Sequence, residues 1–206
     1  MSTKEWQYDL QRDGVTFTLV EKDCLYQVVY EVKDTEISVK LTATPRKPLP
    51  ISLTNHSFFC LGEENIDNLL LQIKSHKILD CRKEDLIAVG ETEIVPCLDF
   101  NELTKINHDI DNPIIKNHRS NGIDHFFIKD DDSSVILESP KYRLVIDSDF
   151  ETVVVYSYNY PDGVEMINTK QETRKGVAIE PSDSVLKRKL YSQPYKRFIK
   201  YSFYKK

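Results

Sequence analysis

The feature that most constrains this chain is a hydrophobic period of two. Val15, Phe17 and Leu19 alternate with threonines and other polar residues. Tyr26 to Val32, Ile37 to Leu41, Leu69 to Ile73, Val135 to Leu137, Leu144 to Ile146 and Val153 to Tyr158 are further short runs rich in β-branched and aromatic residues. Alternation of this kind puts every second side chain on one face of an extended strand and suits a half-buried sheet. Turn chemistry separates the runs: Arg12-Asp13-Gly14, Lys33-Asp34, the prolines Pro45, Pro48 and Pro50, Asn121-Gly122 and Pro161-Asp162-Gly163. Many short strands at roughly ten-residue spacing predict an all-β, largely antiparallel sandwich or barrel. Helix is scarce, with a turn or two expected over Phe100 to Ile106.

A chain of 206 residues is one domain by length and buries about 70% of the surface its unfolded form exposes. No repeat, low-complexity linker or charge block divides it, so residues 1–206 are read as a single domain. The net charge of −5, with only the short runs Asp130-Asp131-Asp132 and Lys187-Arg188-Lys189, argues against a nucleic-acid or anionic-membrane partner. Six glycines and no G-x-G-x-x-G or G-K-[ST] argue against a phosphate-cradling loop. Cys24, Cys60, Cys81 and Cys97 fit no zinc or small-domain disulfide spacing and are read as free thiols. With neither an apolar leader in Met1 to Leu10 nor a run of about 18 apolar residues, the expected location is the cytoplasm. Asn55-His56-Ser57 does match a glycosylation acceptor, which would point to secretion.

Candidate chemistry starts from five histidines, His56, His76, His108, His118 and His125, and nearby carboxylates. His56 lies in Leu53-Thr54-Asn55-His56-Ser57-Phe58-Phe59, where polar residues interrupt an apolar stretch; such a histidine is either half of an acid/base pair or a hydrogen-bonded structural ring. Glu180 ends the strand-like run Gly176 to Glu180 beside Pro181, as a cleft carboxylate with a raised pKa or as a solvated turn residue. Asp124, just after Asn121-Gly122, either accepts hydrogen bonds from a ligand or caps its turn. His76, His108 and His118 lie in polar or lysine-flanked surroundings, and no set of histidines has metal-ligand spacing.

In order along the chain these stretches resemble the aldose 1-epimerase (galactose mutarotase) family. Pro50 to Phe59 resembles its P-x-x-L-T-N-H-S-Y-F signature, and Gly90-Glu91 through Asp99-Phe100 its G-E to D-F segment. Gly122-Ile123-Asp124-His125 resembles G-[FY]-D-H, Tyr156 to Asn159 resembles Y-T-G-N, and Gly176 to Pro181 resembles the G-x-x-x-E-P/T strand. The resemblance implies a galactose mutarotase-like supersandwich that binds a monosaccharide, galactose or glucose, in a cleft across one sheet, with no cofactor and no metal. It implies Glu180 as general base on the anomeric hydroxyl, His56 as the acid on the ring oxygen, and Asp124 with Asn55 as sugar-binding residues. The family's N-R-[IV] and L-H-G-G segments, which supply an arginine and a second histidine, precede the region matched from Trp6, so the sandwich is expected to be N-terminally truncated. Cys60 replaces an asparagine, and Ala88-Val89-Gly90 replaces a P-T-G turn. A non-catalytic sugar-binding or interaction subunit is the alternative. An open strand edge near Met1 to Val20 would favour a homo-oligomer or a partner subunit.

Overall fold

The computed structural model describes residues 4–116, 121–130, 133–161, 163, 172–187 and 189–206. His118, Asp131, Asp132, Asp162 and Arg188 lie outside the described residues. In chain order the strands are β1 (Gln7–Gln11), β2 (Gly14–Glu21), β3 (Cys24–Lys33), β4 (Glu36–Pro45), β5 (Leu49–Pro50), β6 (Phe58–Phe59), β7 (Leu70–Gln72), β8 (Ser75–Cys81) and β9 (Ala88–Glu93). There follow β10 (Thr104–Lys105), β11 (Asp124–Lys129), β12 (Val135–Glu138), β13 (Tyr142–Ser148), β14 (Thr152–Tyr156), β15 (Val177–Ser182), β16 (Leu190–Tyr191) and β17 (Tyr195–Lys205).

They form an antiparallel, two-layer β architecture. One sheet runs β1-β2-β3-β4-β17-β13-β12-β7-β10, the other β6-β15-β14-β11-β8-β9, and β5 and β16 make a small ladder. The alternation read from the sequence builds the interior between them. Val39, Leu41, Ala43, Leu137, Leu144, Ile146 and Ile199 point inward from the larger sheet, while Ile78, Phe127, Val153, Val155, Val177 and Ile179 point inward from the smaller. All belong to one apolar cluster, so burial on one face of each sheet fixes the register of both.

Among the described residues helix is confined to short turns. Phe100 to Ile106, expected to hold helical turns, instead contains bends and the short strand β10, because Asn101 is committed elsewhere: its side chain accepts from Ser75 N at 3.0 Å and donates to Ser75 O at 2.7 Å. Single turns lie at Pro96–Leu98 and Pro113–Lys116 instead. No helix among the described residues is long and apolar enough to cross a membrane. The four cysteines are unpaired, Cys24 and Cys97 buried and Cys60 exposed.

At one end of the larger sheet β1 pairs, among the described residues, only with β2. Its Tyr8 and Leu10 continue the apolar phase of Phe17 and Val15, to which they are paired, yet both are exposed. This is the open edge expected near Met1 to Val20.

Candidate active site

The outward face of the six-stranded sheet carries the candidate residues. In register, Asp124 of β11 stands opposite Tyr156 of β14, Tyr156 opposite Ala178 of β15, and Ala178 opposite Phe58 of β6. Glu180 lies two residues beyond Ala178, and side chains two apart on a strand share a face. Residues far apart in sequence thus meet on one surface because the pleat and the pairing leave them no other side.

His56 reaches this surface from the segment between β5 and β6, which is tied down residue by residue. The backbone N–H of Leu53 donates to the Tyr195 hydroxyl at 3.5 Å, and the Thr54 hydroxyl donates to Pro181 O at 2.7 Å. The Asn55 amide donates to the Tyr30 hydroxyl at 2.7 Å and accepts from the Tyr201 hydroxyl at 3.3 Å and from Ser57 N at 3.1 Å. Asn55 is therefore buried and turned toward the two tyrosines rather than into the cleft. Its amide nitrogen, held by Tyr30, is not open to a glycosyl donor in the folded chain.

With its segment pinned, the His56 ring lies against Glu180, Nε2 to Oε1 being 3.2 Å. Burial of the Glu180 carboxyl pushes its pKa up; the nearby His56 opposes the rise and the Asp124 charge adds to it. Asp124 is likewise raised by burial, with His56 pulling it back. Two carboxyls and one imidazole thus share one electrostatic neighbourhood. A carboxyl whose pKa burial raises, in contact with a histidine, is an arrangement able to exchange protons with a ligand.

Asp124 owes its position to a buried lock behind it. Ser157 and Ile123 exchange backbone and side-chain hydrogen bonds at 3.0 Å, and Asn159 Nδ2 donates to Ile123 O at 3.0 Å. Gly122 fits only because it has no side chain: a Cβ there would lie 2.0 Å from Asn159 Oδ1.

Aromatic side chains flank the pair, which stays open to solvent on the His56 side. Phe58 lies 5.1 Å from the His56 ring, Tyr156 6.4 Å from it, and Tyr158 5.2 Å from Phe58, all between ring centroids. The alternation Tyr156-Ser157-Tyr158 is the sequence signal that marks two of these rings as neighbours. His76 and His108 lie outside this cluster, and His125 sits beside Asp124 with its ring buried. His76 pairs with Asp130 at 2.5 Å on the surface, His108 bonds to Lys105 O, and His125 accepts from the Asp124 N–H. Among the described residues no group of three His, Cys, Asp or Glu side chains is placed to hold a metal ion.

With this geometry in view, comparison with known proteins gives a consistent answer. The profile of the Aldose 1-epimerase family matches residues 1–188. The chain belongs to the aldose 1-epimerase family. Among solved structures it is similar to a galactose 1-epimerase from Lactobacillus acidophilus, with a TM-score of 0.84 at 22% identity over 98% of this chain. An aldose epimerase homologue from C. elegans matches with a TM-score of 0.77 at 16% identity over 98% of this chain, and a galactose mutarotase-like protein from Lactobacillus casei with 0.69 at 17% over 97%. At these identities the likeness is one of fold. This family member spans 66% of the L. acidophilus chain, 69% of the C. elegans chain and 73% of the L. casei chain. No curated protein matches its sequence.

Proposed function

We propose that this chain interconverts the α and β anomers of a free aldohexose, galactose or glucose, without a cofactor, and that residues 1–206 act as one mutarotase-like domain. The observation that carries the reading is the 3.2 Å contact between His56 Nε2 and the buried Glu180 carboxyl on the open face of a sheet in this family's fold.

The chemistry follows from where protons must go. Glu180, as carboxylate, takes the proton from the anomeric O1. The electron pair forms the C1 carbonyl, the C1–O5 bond breaks, and the protonated His56 gives its proton to O5. Rotation about C1–C2 and reclosure by the reverse transfers deliver the other anomer, returning both groups to their starting states. O1 and O5 are bonded to the same carbon, so an acid and a base in contact with each other suit this pair of oxygens. Each proton transfer contributes about 10² to 10⁴ in rate. Asp124 accepts hydrogen bonds from hydroxyls farther along the ring, and the Phe58 and Tyr156 rings cover its apolar face. Asn55 serves the sugar indirectly, by fixing the segment that carries His56. A cytoplasmic location suits the four unpaired cysteines.

Proton NMR of freshly dissolved α-glucose and α-galactose tests the reading. Equilibration faster than the buffer rate, in proportion to protein, is expected. A rate equal to buffer would refute catalysis, and a sugar titration would then separate a binding subunit from a scaffold.

A further inference from the structure

Beside the candidate site the backbone of Tyr158 has φ of 51°, in the left-handed region that a bulky side chain rarely occupies. At this position the Y-T-G-N motif carries glycine, so the ring is a departure of this chain. Hydrogen bonds on both sides hold it there. Ser157 N and Asn159 Nδ2 each donate to Ile123 O at 3.0 Å, Arg174 N donates to Tyr158 O at 3.1 Å, and Tyr160 N donates to the Tyr156 hydroxyl at 3.2 Å. Strain maintained in this way belongs to places where a side chain is needed in one position. Here it delivers a half-buried ring edgewise to Phe58, with centroids 5.2 Å apart. The chain before β15 also presses on Phe58, since a Cβ at Gly176 would lie 3.3 Å from the Phe58 Cβ. Phe58 is thus held by two separate segments, and its ring lies 5.1 Å from that of His56.

Strand register decides which part of a sugar meets these rings. Val154 pairs with Glu180 and Tyr156 with Ala178, so Tyr158 lies on the side of the Tyr156–Ala178 row away from Glu180. Phe58 stands in that row, opposite Ala178. A pyranose over the row therefore has Glu180 along one flank and the Phe58 and Tyr158 rings along the other. In the exchange reaction O1 is at Glu180 and O5 at His56. C5 is bonded to O5 on the side away from O1, and C6 leaves the ring at C5. The next group past His56 is Phe58, with Tyr158 against it.

We propose that Tyr158, together with Phe58, is a specificity-determining wall facing the C6 substituent, so that the site prefers sugars with an uncharged C6 group and takes 6-deoxyhexoses at least as well as hexoses. The inference rests on the anomer-exchange reading above and deepens it. Two aromatic rings favour a methyl or methylene group by burying it, and a pentopyranose, with only hydrogen at that place, gains nothing from them. A phosphate on C6 would lose its water against the rings without a partner. The carboxylates of Asp124 and Glu180 in the same site oppose an anionic sugar as well.

Anomer exchange of D-galactose, D-fucose and L-arabinose tests the proposal, because these sugars share one ring configuration and differ only in the CH2OH, CH3 or H on C5. The wild type is expected to handle D-fucose with kcat/KM no lower than D-galactose and about tenfold above L-arabinose. Tyr158→Gly suits the left-handed backbone and so keeps the fold. It should bring D-fucose and L-arabinose within about threefold of each other, chiefly by raising KM for D-fucose, with L-arabinose within about threefold of its wild-type value. Tyr158→Phe should keep the wild-type preference. A wild type that treats D-fucose and L-arabinose alike, or a preference that survives Tyr158→Gly, would overturn the proposal. If no sugar is exchanged, the catalytic reading fails by itself, and saturation-transfer NMR of D-fucose on irradiation of the aromatic protons decides the wall. Transfer strongest at the C6 methyl and reduced in Tyr158→Gly supports it; transfer spread evenly over the sugar, unchanged in the variant, or absent overturns it.

Discussion

Replacing Asn55 by alanine tests how the fold holds His56 in place. The substitution removes one donor to Tyr30 and one oxygen that accepts from Tyr201, Ser57 N and the Ser57 hydroxyl. The bonds to Tyr30 and Ser57, at about 0.5 to 1.5 kcal/mol each, are partly replaced by water, since both residues are half-buried. Tyr201 is different, because it is buried and its hydroxyl would be left without this acceptor, at about 1 to 3 kcal/mol. The sum is about 3 kcal/mol, or a fall in Tm of roughly 6 to 12 °C for a chain of this size. Urea unfolding of the wild type, Asn55→Ala, Tyr201→Phe and the double variant measures it. Because Tyr201→Phe removes the orphaned hydroxyl, the double variant should be more stable than the sum of single losses predicts, by about 1 kcal/mol or more. A loss below about 0.5 kcal/mol for Asn55→Ala, or strict additivity, would refute the anchoring argument.

Three further outcomes are expected. Burial raises the Glu180 pKa above its ordinary value of 4.5, so the native state holds that proton more tightly than the unfolded one, and the resulting stability is present in acid and lost as pH rises through the folded pKa. Glu180→Gln should therefore gain stability relative to the wild type on going from about pH 4 to pH 8 in denaturant melts, and a constant difference would contradict the shift. Gly122→Ala should destabilise by about 1 to 3 kcal/mol in the same melts, because its Cβ must displace the buried Asn159 amide; an unchanged midpoint would show that the lock behind Asp124 yields freely. The exposed β1 edge with Tyr8 and Leu10 should drive self-association in light scattering, reduced by Leu10→Lys, whereas a wild-type monomer at all concentrations would count against it.

The strands that alternate cleanly were legible in the sequence. Tyr26 to Val32 and Ile37 to Leu41 lie inside β3 and β4, and Leu144 to Ile146 inside β13. The long strand β17 was not, because Arg197 occupies its inward phase and Phe198 its outward one. Arg197 is tolerated there through its contacts with Asp183, at 3.0 Å from Nε, with Asp149, and with the faces of Phe150 and Tyr195. β11 was obscured for a similar reason: Lys129 ends its buried phase, satisfied by Ser133 O and Ser148 O. In the site, motif order pointed to His56, Asp124 and Glu180, but nothing local to Asn55 told that its amide faces inward. Its partners Tyr30 and Tyr201 come from strands 25 and 146 residues away.

In the proposed reaction Glu180 works as the base beside His56. Anomer exchange of freshly dissolved α-galactose by the wild type and by Glu180→Gln, each verified as folded by circular dichroism, tests it most directly. The substitution keeps size and hydrogen-bonding reach but removes the proton acceptor. A loss of about 10² to 10⁴ in kcat with little change in KM is expected. A Glu180→Gln protein that equilibrates the anomers as fast as the wild type would contradict it.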